Sequence, residues 1–314
     1  MIIVIPAGAA SMEMPAKHCR WLSRGESFRD PDDVEPLLNV LQELDVPVPA
    51  QGLAAIRLWG QTGVRPEDWV SAADPVYLEA MLDHVRLHSL DESALSRDDR
   101  AQIFGELQAQ LGDASRRFEL IGDYGYVRGK GSFATAGCSA KLLDAHEPEV
   151  LPPSLSGSRE HDRLVGELQL LLHQSPMNRR REEQGLCPAN SIWFWGGGHA
   201  PQTNEATLPP LYSDDPLYLG CWRSMRAPAN HWPGETGRHV PELPLSCVAV
   251  LPAGPTVSGL VDKVFNMSKR RLARGQIRRL TLVFSDGLRV RLRRRQLFAF
   301  WRSGHWPGFV GSGT

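Results

Sequence analysis

The pattern of hydrophobic and polar positions predicts a chain in which strands and helices alternate. Residues 2–5 form an apolar, β-branched run that stops at Pro6, which predicts a buried strand. Apolar residues at helical spacing over 34–44 predict a helix. The stretch 160–174 is the clearest helix of the chain, and Pro176 enforces its end. This alternation is typical of an α/β protein.

A smaller unit is predicted in the middle of the chain. The pattern favours strands from 69 to 90, and Ser96 then precedes a helix that Gly112 closes. Residues 117–128 return to strand character. The order β-β-α-β-β therefore predicts a small α+β unit over 65–135.

The C-terminal third predicts a return to α/β structure. A strand-like run at 247–251 is followed by a basic helix at about 258–273. Two further apolar runs, 278–284 and 288–294, flank Asp286-Gly287, which is a strong signal for a two-residue hairpin.

Length and composition suit this division. A chain of 314 residues accommodates one large or two medium domains. We expect an α/β core formed by 1–64 and 136–314, with 65–135 as an inserted α+β cap subdomain. The hydrophobic fraction of 42% and the charged fraction of 23% exclude a disordered or fibrous chain.

Cysteine usage and hydropathy predict a cytoplasmic protein. The five cysteines are scattered and form no CxxC pair, which argues against a disulfide framework or a zinc ribbon. The N-terminal apolar run lacks the basic region of a signal peptide. No stretch approaches the ~18 apolar residues of a membrane span, so we expect no membrane partner.

The segment 168–198 carries the most chemical information. A helix leads to a sharp turn with three arginines, and a strand with two tryptophans then ends in three glycines. A glycine run permits close backbone approach to a ligand or to a neighbouring helix, and arginines suit phosphate or carboxylate. The alternative is a packed tryptophan pair, a tight turn and a solvated Arg/Glu face. The candidate residues for binding an anionic metabolite are Asn178, Arg181, Asn190, Trp193, Trp195, Gly196, Gly197, Gly198 and His199.

The same segment contains the spaced residues of a family motif. They are Pro176, Asn178, Arg181, Glu182, Gly185, Asn190, Ser191, Trp193, Trp195 and Gly196 to Gly198, with weaker matches at 73–78 and 300–302. In these positions the chain resembles the RpfE-type bacterial regulatory proteins. Those proteins in turn resemble a divergent branch of the archaeal-type cofactor-independent phosphoglycerate mutases, in the alkaline-phosphatase-like superfamily.

The resemblance implies a fold and a test of catalysis. The implied fold is a mixed β-sheet flanked by helices, an alkaline-phosphatase-like core with an inserted cap. Such mutases hold a metal with an Asp-Gly after the first strand, and they use a Ser or Thr before a helix as nucleophile. Here Ala7 stands after the first strand, and the segment 35–38 has no hydroxyl. After residue 245 the sequence has one histidine, His305, and two acids, Asp262 and Asp286. These departures predict a degenerate mutase fold with no catalytic residues.

Other motifs add little. His84 and His88 can share a strand face but lack an accompanying Glu motif for a metal. The run Gly129-Lys130-Gly131 lacks the spacing of a P-loop, so it predicts a flexible loop. The sequence therefore predicts no metal and no cofactor.

The net charge of −1 conceals a strong asymmetry. Residues 263–302 contain thirteen basic residues and one acid, a local charge of +12, so the rest of the chain carries −13. Arg289, Arg291 and Arg293 alternate with apolar residues and form a row on one strand face. Such a row suits nucleic acid or an acidic partner protein. The alternatives are a solvated edge strand, or pairing with the acidic N-terminal part of the chain.

Three functions remain open from the sequence. The first is a non-catalytic regulatory protein on a degenerate phosphoglycerate-mutase-like fold that binds an anionic metabolite. The second is an active metal-dependent phosphomutase or phosphatase. The third is a nucleic-acid-binding regulator that acts through the basic region 263–302.

Overall fold

The computed structural model describes residues 1–5, 16–29, 35–91, 93–146, 149–150, 159–233, 242–252 and 257–297. The chain has a mixed α/β fold in which helices flank the sheets, as the sequence predicts. It divides into two compact units. The first unit comprises 1–48 and 203–314, and the inserted unit comprises 49–202. The inserted unit extends beyond the expected 65–135 on both sides, because a helix before it and a helix and strand after it pack within the same unit.

The elements follow one another in this order. The first unit begins with β1 (Ile2–Ile5), α1 (Ala16–Leu22), β2 (Glu26–Arg29) and α2 (Pro36–Glu43). The inserted unit contains α3 (Leu53–Thr62), β3 (Trp69–Ala80), β4 (Val85–Ser89), α4 (Arg97–Leu111), β5 (Arg116–Ile121), β6 (Tyr124–Gly129), α5 (Ala140–His146), β7 (Glu149–Val150), α6 (Arg159–Gln174), α7 (Pro176–Glu183) and β8 (Ser191–Gly198). The first unit resumes with β9 (Leu211–Tyr212), α8 (Pro216–Ser224), β10 (Ala229–Asn230), β11 (Val248–Val250), α9 (Val257–Ala273), β12 (Arg279–Phe284), β13 (Leu288–Arg293) and α10 (Arg294–Leu297).

The sheet of the first unit has the order β10-β9-β11-β1-β12-β13-β2. β1 lies between β11 and β12 and pairs in parallel with both. All four of its residues are buried, as expected for an apolar strand covered on both faces. Ile3 and Ile5 belong to a core cluster with Trp21 of α1 and Phe265 of α9. The predicted buried strand at 2–5 is confirmed.

The predicted hairpin is also confirmed. β12 and β13 pair in antiparallel fashion around Asp286-Gly287. Gly287 has φ of 70°, a left-handed conformation that glycine adopts without strain. The Asp286 carboxylate accepts a hydrogen bond from the backbone N–H of Leu288 at 3.1 Å. β13 is covered on its other side by β2, so it is not the edge strand that the sequence allows.

The inserted unit is built around the long strand β3. β3 pairs in antiparallel fashion with β4, β6 and β8. The predicted β-β-α-β-β order is confirmed by β3, β4, α4, β5 and β6. Ser96 caps α4, since its hydroxyl oxygen accepts the N–H of Asp99 at 3.1 Å. Residues of α4, α6 and β8 share one hydrophobic cluster. None of the helices in the described part of the chain combines the length and apolar character needed to cross a membrane.

Candidate functional site

Asn178 occupies a buried position at the start of α7. Its amide nitrogen donates to the carbonyl oxygens of Leu172 at 2.7 Å and Ala189 at 2.8 Å. Its side-chain oxygen accepts the N–H of Ala189 at 2.8 Å. The side chain therefore ties the end of α6 to the segment that leads into β8, with three hydrogen bonds inside the inserted unit.

Arg181 is likewise engaged within the inserted unit. The side chain is 5% exposed. Its guanidinium donates to the carbonyl oxygens of Cys187 at 3.0 Å and Ala94 at 2.8 Å. It also pairs with the carboxylate of Asp99 at 3.3 Å. The arginine thus holds the turn after α7 against the start of α4.

The polar groups of two further candidate residues also form hydrogen bonds within the inserted unit. Asn190 bonds both the N–H and the carbonyl oxygen of Leu78, at 2.7 and 2.9 Å. The indole N–H of Trp193 donates to the Cys138 carbonyl oxygen at 2.9 Å. These contacts agree with the alternative interpretation of the segment, in which its tryptophans and its turn are packed within the protein.

The three glycines do not end the strand, because β8 continues through them to Gly198. They permit close approach to α3: a Cβ on Gly196 would lie 2.9 Å from the backbone nitrogen of Ala54, and one on Gly198 would lie 2.6 Å from that of Gly52. His199, which follows, is exposed and has its ring nitrogen 3.3 Å from the Glu67 carbonyl oxygen. Of the two explanations for the glycine run, approach to a neighbouring helix is the one observed. A ligand-binding role for these residues stays a prediction.

The pairing of β3 with β8 brings together parts of the two segments of this unit that resemble the mutases, 73–78 and 176–198. Trp195 donates its indole N–H to the carboxylate of Asp74 at 2.7 Å. Beneath them lies the fully buried Arg57 of α3, whose guanidinium is 3.6 Å from Asp74 and 5.0 Å from the Trp195 ring centre. It donates to the Tyr126 hydroxyl at 3.1 Å. This buried charged centre links α3 to the strands β3, β6 and β8 of the inserted unit.

A cavity of about 80 Å³ opens on another side of the inserted unit. By the same measure a single water needs about 10–15 Å³, so the cavity is large enough for several waters or for one phosphate- or carboxylate-sized anion. Trp69 and Phe133 form an aromatic wall, with ring centres 4.9 Å apart. The residues that line it are Trp69, Asp113, Ser115, Arg116, Val127, Arg128, Gly129, Gly131 and Phe133.

The two arginines of the cavity have unused donors. The Nε atoms of Arg116 and Arg128 are buried and have no hydrogen-bond partner among the described residues. Arg128 also pairs with Glu119 at 3.1 Å and Asp68 at 3.4 Å. One terminal nitrogen of Arg116 donates to the Leu111 carbonyl oxygen at 3.4 Å. A buried donor without an acceptor is costly, by about 1–3 kcal/mol.

The one acid among the lining residues is Asp113, which accepts hydrogen bonds from its own turn. One carboxylate oxygen of Asp113 accepts hydrogen bonds from the hydroxyl and N–H of Ser115, both at 2.6 Å, and from the N–H of Arg116 at 2.9 Å. The bonds from Ser115 lower the pKa of Asp113, so its carboxylate is charged at neutral pH. The turn at 113–115 is therefore held in place by Asp113.

We expect Gly129→Ala to lower the free energy of unfolding by about 1–3 kcal/mol, the usual cost of an overpacked site. Gly129 ends β6 opposite Arg116, and a Cβ there would overlap the carbonyl oxygen of Ser115. Gly131→Ala is the matched control, since a Cβ at Gly131 meets no described atom within 4 Å. Urea unfolding of the two variants measures the difference. Equal losses would show that the contact at Gly129 is not limiting.

Two of the three arginines in the basic row of β13 form ion pairs within the first unit. Arg289 and Arg291 both pair with the buried carboxylate of Glu43 on α2, at 3.3 and 2.7 Å. Arg291 also lies over the ring of Phe28, 4.6 Å from its centre. Of the alternatives weighed from the sequence, pairing with the N-terminal part of the chain is therefore the one observed for these two arginines. Arg293 is exposed.

The metal set of the mutases does not fit the described residues. No group of three or more His, Cys, Asp or Glu side chains capable of holding a metal occurs in the part of the chain that the structure describes. At the carboxyl ends of the parallel strands, Asp215 caps α8 and Asp286 pairs with Arg29. Asp214 pairs with His231 at 3.1 Å. Ala7, the expected counterpart of a metal ligand, lies outside the described residues, as do His305 and the match at 300–302.

Arg116, Arg128, Trp69 and Phe133 were not among the candidates that the sequence singles out. The two arginines are 12 positions apart, and they extend from opposite faces of the β5/β6 pair, because Arg116 lies opposite Gly129 and Arg128 lies opposite Arg117. The one local signal is the glycine-rich run at 129–131, which lacks any known binding motif. Gly197 of the glycine run packs against Trp69 of the cavity, since a Cβ on Gly197 would lie 2.7 Å from the Trp69 ring.

Part of the chain is similar in sequence to phosphoglycerate mutases. No protein-family model matches. The chain is 46% identical over 50 residues to a probable 2,3-bisphosphoglycerate-independent phosphoglycerate mutase of Geobacter sulfurreducens, covering 16% of this chain and 12% of the relative. It is 28% identical over 134 residues to the corresponding mutase of Methanosarcina barkeri, covering 38% of this chain and 31% of the relative.

Two solved structures resemble the chain. The PH0037 protein of Pyrococcus horikoshii has a TM-score of 0.46 at 11% identity, over 93% of this chain and 87% of that chain. The cofactor-independent phosphoglycerate mutase of Thermoplasma acidophilum has a TM-score of 0.38 at 14% identity, over 93% and 89%. The matched part of the chain spans less than a third of the Geobacter and Methanosarcina barkeri mutases. Over that part, the chain is a weak homologue of the cofactor-independent phosphoglycerate mutases.

Proposed function

We propose that this protein is a non-catalytic, RpfE-type regulatory relative of the phosphoglycerate mutases that binds a small anionic metabolite. The binding site is the cavity of the inserted unit. The observation that carries the proposal is the buried Nε donor of Arg116, a cavity residue whose donor has no partner among the described residues. An oxyanion in the cavity supplies negative charge beside the Arg116 guanidinium, and the rings of Trp69 and Phe133 form an apolar wall next to it.

Arg116 is the principal anion-binding group of the proposed site. No described carboxylate lies within salt-bridge distance of Arg116, whereas Arg128 has two acidic partners. A phosphate or carboxylate can accept two parallel hydrogen bonds from one guanidinium. The ligand class is therefore a small phosphate ester or carboxylate, and 3-phosphoglycerate is a suitable probe because it carries both groups.

Isothermal titration with 3-phosphoglycerate and with inorganic phosphate tests the site. We expect wild type to bind at least one probe and Arg116→Met to weaken that binding at least tenfold, since a charge-assisted bidentate pair is lost. Arg117→Met is the matched control, because Arg117 is the neighbouring arginine of β5 and pairs with Asp68 and Glu119. No binding at millimolar probe, or equal weakening in both variants, would overturn the proposal.

The non-catalytic part is tested separately. Two-metal phosphoryl transfer requires several ligands to hold two ions ~3.5–4 Å apart. We expect purified protein to carry no stoichiometric metal, and to turn over neither 3-phosphoglycerate nor a phosphatase substrate in the presence of manganese. Bound metal together with turnover would instead support the metal-dependent phosphomutase or phosphatase, whatever the outcome of the binding experiment.

A further inference from the structure

One end of the first unit carries a dense group of exposed arginines. They come from the end of α9, the start of β12, the end of β13 and α10, and all are exposed. The group, called the arginine patch below, consists of Arg274, Arg278, Arg279, Arg293, Arg294 and Arg295.

The topology explains why these residues meet. β12 and β13 pair in antiparallel fashion with Arg279 directly opposite Arg293, so the start of one strand lies beside the end of the other. α10 follows β13 directly and packs against α9. The guanidinium of Arg294 would lie 3.4 Å from a Cβ on Gly275, the residue after Arg274. Two segments, 274–279 and 293–295, thus converge on one surface.

The charge of the arginine patch is not neutralised within the described chain. None of its six members forms a salt bridge with a described acid, in contrast to Arg289 and Arg291, which share Glu43. The one acid of the segment 263–297 is Asp286, which lies at the opposite end of the hairpin. Arg279 and Arg293 also face each other across the strand pair, an unfavourable placement of like charges. A binding partner that supplies negative charge removes this repulsion.

We propose that the arginine patch binds the phosphate backbone of duplex nucleic acid without sequence preference. Arginine is the side chain best suited to phosphate, because its planar donors bind two oxygens at once. The segment 263–297 contributes no exposed large hydrophobic side chain. Such side chains supply most of the binding energy in protein interfaces and stack on single-stranded bases. Their absence from this described segment favours a phosphate backbone over an acidic protein.

The residues proposed to bind nucleic acid differ from the row of arginines that the sequence singles out. Arg289 and Arg291 are occupied by Glu43, so the accessible cations lie at the ends of the hairpin and on the neighbouring helices. The surface belongs to the first unit, whereas the cavity belongs to the inserted unit. The two proposals therefore stand or fall separately.

Fluorescence anisotropy with a labelled 25-base-pair DNA duplex, titrated between 50 and 200 mM salt, tests the proposal. The variant replaces Arg274, Arg278, Arg294 and Arg295 by glutamine. Each phosphate contact contributes about −0.9 to the slope of log K against log salt. We expect a wild-type slope of about −4 to −5. The variant should flatten the slope by about 3 and weaken binding at 50 mM salt at least tenfold.

A control variant of equal net charge separates local from general electrostatics. It replaces the exposed residues Lys130, Lys141, Arg163 and Arg179 by glutamine, all in the inserted unit. We expect it to bind DNA within about twofold of wild type. Circular dichroism checks that both variants fold. No binding by wild type at 50 mM salt, equal losses in the two variants, or stronger competition by polyglutamate than by unlabelled DNA of the same charge would overturn the proposal; the last result would indicate an acidic protein partner.

Discussion

Replacement of Arg57 by methionine is expected to lower the free energy of unfolding by about 3–5 kcal/mol, the usual cost of removing one member of a buried charged pair. The substitution removes the ion pair with Asp74 and the hydrogen bonds that Arg57 donates to the Tyr126 hydroxyl and the Gly125 carbonyl oxygen. It also removes the cation–π contact with Trp195. Urea unfolding followed by tryptophan fluorescence measures the loss.

Arg117→Met is the control for this experiment. Arg117 also pairs with two acids, Asp68 and Glu119, but its side chain is 53% exposed. Exposed ion pairs contribute about 0–1 kcal/mol, because water screens them and holding the side chains costs entropy. A loss at Arg57 no larger than at Arg117 would show that the buried centre does not stabilise the inserted unit.

Asn178→Leu is expected to cost about 3–5 kcal/mol, because three buried hydrogen bonds are lost and each orphaned backbone group costs about 1–3 kcal/mol. The substitution changes the shape of the side chain little, so the loss reports the hydrogen bonds. Asn190→Leu, which removes two bonds at a partly buried position, should cost about 1–2 kcal/mol. Thermal and urea unfolding measure both.

Asn178→Leu also tests whether Asn178, one of the positions shared with the mutases, serves to bind a ligand or to stabilise the fold. If Asn178 serves mainly to bind a ligand, its replacement weakens 3-phosphoglycerate binding while stability stays within about 0.5 kcal/mol, the range of a surface substitution. The bonds to Leu172 and Ala189 indicate the reverse outcome: a large loss of stability.

The local sequence pattern was sufficient to predict the helices and strands that have strong hydrophobic periodicity or clear signals at their ends. The strand at 2–5, the helix after Ser96, the helix that Pro176 ends and the hairpin at Asp286-Gly287 all occur where predicted. Each depends on neighbours in sequence: side-chain spacing, a cap or a turn conformation. Short strands such as β9 and β10, of two residues each, lack such signals and were not predicted.

The extent of the inserted unit could not be derived from local pattern. The segment 159–202 has the same helix and strand character as the core, and it joins the inserted unit because β8 pairs with β3. The glycine run shows the same limit. Its residue type permits close approach to either a ligand or a helix, and only the position of α3 decides between them.

The sequence by itself determined the α/β character, the main elements, the similarity to phosphoglycerate mutases and the strong charge asymmetry. These properties follow from composition, periodicity and short motifs. The tertiary structure decided how each charge is used. Glu43 neutralises Arg289 and Arg291, Asp74 neutralises Arg57, and the Nε of Arg116 faces no described acceptor. The physical reason is that an ion pair or an orphaned donor depends on which distant segments meet, and the spacing of residues along the chain does not contain that information.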